Sequence, residues 1–355
     1  MKTGIFIYNQ ARRDTPEHQL FREVLGQVSL AEDIGYQEAW FAEHHHSDYS
    51  LLPAPNLLIA AASQRTSRIR LGNLVNILPF HDPVRLAEEI ATLDNLTEGR
   101  LNVGIGRGIR RPEFTVYGLD RPGAEDRFTE ALQVMMRGWT EEKFSHDGAF
   151  WKYQDVSIRP RVFQKPFPPL TYPSVSTESL ATVARNGWQL AIGRQTVPEA
   201  KMMAATYRAA RAAAGLSADG EGVLLHRFVY VAETDEQALA EGVPALLDYW
   251  HLAAHNRLAT SPIGLNDLPP MTIRGGYGGS GVTLTELIEG GCVLIGCPET
   301  VSAGLRRISS EIAPTSLIGS FAFGSLTHEQ VCRSMVLFAK CAATAESAAP
   351  TLARV

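Results

Sequence analysis

The sequence predicts an α/β fold, a (β/α)8 barrel of the TIM type with a long insertion before its last strand. Three observations predict it. Short apolar runs alternate with amphipathic stretches along most of the chain, the pattern of a parallel sheet covered by helices. The strand-like runs reach the number that closes a barrel. Glycine, arginine, serine and histidine follow several of these runs, at the strand ends where barrel enzymes build their sites.

The elements follow in order. Gly4–Tyr8 reads as a strand. Residues 19–34 read as a helix, with Leu20, Val24, Val28, Ala31 and Ile34 at three- and four-residue spacing and Gly35 as its stop. Glu38–Phe41 is the second strand. Pro55–Ser63 is a helix opened by proline, and residues 69–74 are the third strand. Asp82 caps a helix over Pro83–Leu96, and residues 101–105 form the fourth strand. Further strands are expected over residues 170–175, 190–193, 224–232 and 317–323. Helices are expected over 128–139, 180–186, 199–214, 236–251 and 328–342. Residues 150–167 read as an extended excursion. Residues 256–291, with Pro269-Pro270 and the run Gly275 to Gly281, read as a long glycine-rich insertion, either a surface loop or a mobile lid. One domain is expected over 1–345, with a frayed tail over 346–355.

The chain has 355 residues, 45% of them hydrophobic, and a net charge of −5. The acidity argues against a surface for nucleic acid or anionic membrane. No apolar run reaches the ~18 residues of a membrane span. The start, Met1 to Tyr8, has no signal-peptide pattern, so a cytoplasmic protein is expected. Cys292, Cys297, Cys332 and Cys341 lack zinc-site spacing and read as free thiols.

The chemistry-bearing residues sit after the strands. Trp40-Phe41-Ala42-Glu43-His44-His45-His46 places an acid and three histidines at a strand mouth. Histidine changes charge near neutral pH. His44 and His46 would face one way if the strand continued, as in a metal site, but no further ligand set follows from the later strands. Gly104-Ile105-Gly106-Arg107-Gly108 ends the fourth strand. Its glycines allow close backbone approach and its arginine suits a phosphate, or the segment is a structural turn. Ser176 and Thr177 open a helix and could seat an anion or cap the helix. Asn76 offers a donor and an acceptor, and His81 could line a cleft. Arg110, Arg111 and Arg194 could meet an acidic substrate group. His226 reads as a core histidine.

These residues lie in blocks that resemble the bacterial luciferase-like, flavin-dependent monooxygenases, in the layout of the luciferase α subunit. The blocks are residues 30–36, 40–45, Leu78-Pro79 with 82–88, 93–100, 104–108, 184–187 and 295–299. The resemblance implies a (β/α)8 barrel that uses reduced FMN and O2 to oxygenate an organic small molecule through a peroxyflavin, with FMN reduced by a separate flavin reductase. It implies His44 as the histidine of the oxygen chemistry, with Glu43 and His45 beside it. It implies Arg107 and Ser176 at the FMN phosphate, and Leu74-Val75 under the flavin ring. It implies a homodimer packed through early helices. Gly106 replaces a reactive cysteine of the luciferase α subunit, His46 an aromatic residue and Val175 an acid. These departures argue against light emission and an aldehyde substrate. A deazaflavin-dependent oxidoreductase on the same barrel and a non-catalytic flavin-binding protein are the alternatives.

Overall fold

The computed structural model describes residues 1–174, 176–217, 222–255 and 284–347. Parallel strands β1 (Lys2–Ile7), β2 (Glu38–Phe41), β3 (Arg70–Ile77) and β4 (Leu101–Gly106) alternate with helices α1 (Glu17–Asp33), α2 (Pro55–Ser63) and α3 (Pro83–Leu96). Asp82 accepts from Arg85 N at 2.9 Å, the expected cap, a contact of the kind that contributes about 1 kcal/mol. After β4 come α4 (Arg111–Val116) and α5 (Ala124–Thr140), then an antiparallel hairpin of β5 (Phe144–Asp147) and β6 (Lys152–Val156). The alternation resumes with β7 (Leu170–Pro173), α6 (Thr177–Arg185), β8 (Gln189–Gly193), α7 (Val197–Ala213), β9 (Val223–Val231) and α8 (Asp235–His255). The chain continues through α9 (Leu284–Glu289), β10 (Val293–Gly296), α10 (Pro298–Glu311), β11 (Ser316–Ser320) and α11 (His328–Ser347).

The sheet runs β9-β11-β1-β2-β3-β4-β7-β8, and β8 pairs again with β9, which closes the barrel. These are the strands expected from the sequence. β10 is an addition: it pairs with Phe228–Val231 of β9, beyond His226 where the β8 pairing ends. The expected insertion is corrected accordingly. Its end forms α9, and β10 with α10 intervenes before the last strand. Residues 256–283, and with them most of the expected lid, lie outside the described residues, as does 348–355 of the expected tail. α11 itself runs on to Ser347.

Barrel strands such as β2 and β9 are buried on both faces, as parallel strands under helices must be. The buried Glu38 is satisfied on both oxygens, by Trp40 Nε1 at 2.9 Å and Ser316 Oγ at 3.0 Å. β3 is the irregular strand. Its register against β4 shifts between Asn73 and Asn76, and the Leu74–Val75 peptide is cis. Leu74 and Val75 are half-buried in a strand whose neighbours are largely covered. Among the described residues, no helix is long and apolar enough to cross a membrane.

Interior titration has a stability consequence. His226 on β9 is 7% exposed and bonds Ser320 Oγ through Nε2 at 2.8 Å. Burial, with Arg194 and Arg227 adding to it, pushes its pKa down to about 3. The unfolded chain binds this proton near pH 6.5 and the folded chain does not. The contribution is therefore complete above ~6.5 and lost as pH falls, by up to about 1.4 kcal/mol per pH unit. Urea midpoints between pH 6.5 and 4.5 should show that slope, and His226→Gln should flatten it. An equal slope in the variant would assign the loss to other groups.

Candidate active site

β2 ends at Phe41, and the next residues turn across the C-terminal rim of the barrel. The expected histidine pair therefore separates. His44 stays largely covered, while His46 is exposed at φ 56°. The two do not share a face, so the His-x-His metal reading loses its geometric premise. Among the described residues no group of three or more His, Cys, Asp or Glu is placed to hold a metal ion.

His44 is set by a residue the sequence reading missed. Its Nδ1 lies 3.0 Å from Glu113 Oε1 on α4, and the same oxygen accepts from His45 N at 3.1 Å. Glu113 is 1% exposed, and its Oε2 is buried without a hydrogen-bond partner among the described residues. A carboxylate on Nδ1 selects the tautomer with hydrogen there and leaves Nε2 as the proton-accepting atom. Burial lowers the His44 pKa. Glu113 opposes this, Arg110 and Arg194 add to it, and the net shift is downward. His44 is therefore neutral at pH 7, a base rather than an acid in its resting state.

Glu43 and His45 do different work. Glu43 is buried; its Oε1 bonds His45 Nε2 and His81 Nε2, each at 3.0 Å, and its Oε2 accepts from Ile77 N at 3.1 Å. Burial raises the Glu43 pKa, but the two histidines outweigh it and hold it below the usual value. His45 Nδ1 meets Tyr117 Oη at 2.9 Å. This network ties the β2 turn to the end of β3 and to the segment after α4. Both carboxylate oxygens of Glu43 and both ring nitrogens of His45 are engaged within it. Glu43 and His45 flank His44 in the chain, and His81 is part of the same network.

The other expected site residues divide. Arg107, just after β4, is exposed and ion-paired with Glu125, and it interacts with Tyr172 on neighbouring β7. Ser176 caps α6, accepting from Ser179 N at 3.3 Å, and Thr177 is the first helical residue; both are exposed. Because β4 pairs with β7, Arg107 and the start of α6 emerge from adjacent strands. Asn76 turns elsewhere. It is buried, and its Oδ1 accepts from Asn56 Nδ2 of α2 at 3.2 Å, while its own Nδ2 has no partner among the described residues. Gly106 is needed for packing: a Cβ there would lie 2.5 Å from Val75 Cγ2. Gly108 is required by its backbone, with φ at +79°. Val175 lies outside the described residues.

A model of the family described as luciferase-like monooxygenase matches residues 1–312. The chain belongs to that family. The oxygenase component of the flavin-dependent trigonelline monooxygenase from Acinetobacter baylyi is 27% identical over 258 residues, 70% of this chain and 71% of that protein. An uncharacterized protein of Sinorhizobium fredii is 37% identical over 171 residues, and the match spans 48% of this chain and 49% of that relative. Among solved structures, monooxygenase RslO1 from Streptomyces bottropensis superposes with a TM-score of 0.86 at 26% identity, covering 97% of this chain and 99% of that one. As a luciferase-like barrel, the chain carries its chemistry-bearing residues on the rim formed by the strand C-termini.

Proposed function

We propose that the chain is the oxygenase of a two-component FMN-dependent monooxygenase of the peroxyflavin type. It takes reduced FMN from a separate flavin reductase, uses O2 and oxygenates an organic small molecule. One observation carries the reading. The four successive strands β2, β3, β4 and β7 present, in order, His44, the half-open Leu74-Val75 surface, Arg107 and the start of α6. A proton acceptor, an apolar platform and an anion seat thus lie side by side on one rim, the sequence of groups a flavin mononucleotide needs.

The residues fit that group. The first hydrogen bond of α6 is Leu180 N to Ser176 O, so the N–H groups of Thr177 and Glu178 precede the helical ladder at its positive end. Ser176 Oγ adds a hydroxyl. Besides Tyr172, Arg107 is held by exposed Glu125, an ion pair of little net worth that a phosphate can displace. Gly106 and Gly108 keep β4 and its turn narrow beside Val75 and Ile77. Bound reduced flavin would supply the electrons that activate O2. The chain's share is to orient that group through Arg107, Ser176 and Thr177 and to accept a proton at His44 Nε2. The same reading takes the protein as a cytoplasmic homodimer; Leu57 on α2, 73% exposed, and Leu96, 45% exposed, supply apolar surface for a second copy.

Arg107→Ala should weaken binding of reduced FMN by about 2 kcal/mol, the loss of a charge-assisted hydrogen bond. Anaerobic fluorescence or calorimetric titration measures it. An unchanged dissociation constant would remove Arg107 from the phosphate seat. Tighter binding of a reduced deazaflavin than of reduced FMN would overturn the flavin assignment itself.

A further inference from the structure

The barrel holds a buried charge that the flavin reading does not use. Along one edge of β9 the partner strand changes. β8 pairs with it as far as Gly193 opposite His226, and β10 begins with Val293 opposite Phe228. Arg227 is the β9 residue left between the two pairings. Cys292, just before β10, spans the same notch: its thiol lies 3.6 Å from the carbonyl oxygen of Arg194, just after β8. Arg227 is fully buried, at 0% exposure. Its Nη1 donates to the carbonyl of His226 at 2.8 Å, which fixes the direction of the guanidinium. Its Nε and Nη2 are buried with no hydrogen-bond partner among the described residues. Those two nitrogens form the side-on edge of a guanidinium, whose parallel N–H bonds are the ones that grip an anion.

We propose that Arg227 binds a chloride ion in this notch through Nε and Nη2, at the junction of β8, β9 and β10. The site is independent of the flavin reading, and no step of that reading uses it. The charge is real at neutral pH: burial lowers the Arg227 pKa only to about 10. The Cys292 thiol beside it does not cancel that charge, because burial pushes its own pKa up to about 11 and leaves it uncharged. A cation taken out of water with neither a counter-ion nor a full set of acceptors is strongly unfavourable, and an anion on the open edge removes both deficits. Enclosure sets the size of the anion. A side chain with no exposed surface admits a monatomic ion, whereas a phosphate or an organic acid needs an open path. The bound ion would join the lead into β10, an addition to the barrel, to the β9 strand on which β10 pairs.

Thermal unfolding of the intact chain, without flavin and at fixed ionic strength, compares chloride with gluconate, an anion too large for the notch. Raising chloride from ~1 to ~200 mM should lift the midpoint saturably, by about 2 °C, as a ligand of the folded chain alone does. Arg227→Met, similar in length and uncharged, should abolish that dependence. Arg107→Ala, which removes the exposed arginine of the phosphate seat, should keep it. Crystals of the unaltered chain grown in bromide supply a readout that needs no variant: an anomalous peak beside Nε and Nη2 of Arg227. If Arg227→Met fails to fold by circular dichroism, the bromide map decides alone. Equal midpoints in the two salts would overturn the inference, as would a chloride dependence that survives in folded Arg227→Met. Bromide found only at the surface, with water or nothing in the notch, would overturn it too. Loss of the dependence in Arg107→Ala with Arg227→Met unaffected would move the anion to the phosphate seat and end the proposal.

Discussion

His44→Ala should reduce product formation by about 10²- to 10⁴-fold, the usual contribution of a positioned acid–base group, while binding of reduced FMN stays nearly unchanged. The expectation follows from where the ring's partners lie. Nδ1 is occupied by Glu113 and the ring is walled by Tyr8 and Tyr49, so Nε2 is the atom presented for proton transfer. None of these contacts involves Arg107 or the start of α6, so cofactor affinity should survive. Steady-state turnover with a coupled reductase and a separate binding titration measure the two effects; equal turnover would remove His44 from the chemistry.

Glu113 is the positioning residue for that histidine. Its charge raises the His44 pKa against the effect of burial. In Glu113→Gln the pKa should fall further, and the acid limb of the pH–rate profile should move to lower pH. Turnover should drop because the amide no longer favours one tautomer. Glu113→Asp should restore part of it. A purely structural role would lower the rate at every pH without moving the limb, and that pattern would contradict the assignment.

The second large effect is on stability. Gly104→Ala should destabilise the protein by about 3 kcal/mol, at the upper end of what overpacking costs. A Cβ at Gly104 would run into the carbonyl oxygen of Asn73 and lie 2.9 Å from Leu74 Cα. Backbone of a central strand cannot retreat as a side-chain tip can. The bulge of β3 lies at the same place, so the substitution should also displace Val75 and weaken FMN binding. Gly26→Ala is the matched control. It sits inside α1 with nothing nearer than His328 Cε1 at 3.9 Å, and it should stabilise by roughly 0.5–1 kcal/mol. Urea midpoints compare the two; a neutral Gly104→Ala would mean that β3 and β4 can separate there.

Local signals carried most of the barrel. Pro55–Ser63 and Pro83–Leu96 appear in the structure with the ends that proline and Asp82 mark. Elements without such marks were hidden. α4 has only six residues, too few for a helical period, and it holds Glu113. Its bond to His44 joins positions 69 residues apart, a separation that no spacing rule reaches. β10 and α10 were masked by the glycine-rich stretch before them, although Val301, Leu305 and Ile308 keep a helical period that could have revealed α10. The candidate site was readable as strand-end residues: His44, Arg107 and Ser176 lie beyond the ends of β2, β4 and β7. Asn76 was not, because the irregularity of β3 turns its amide to Asn56. Gly106 looked like room for a ligand and is room for Val75.

Oxygen reactivity tests the central claim most directly. Anaerobic protein loaded with reduced FMN is mixed rapidly with O2, and flavin absorbance is followed while hydrogen peroxide is assayed. The account predicts a delayed return of oxidised flavin, with little free peroxide and a faster return when substrate is present. Immediate reoxidation at the rate of free reduced FMN, with stoichiometric peroxide, would contradict a monooxygenase.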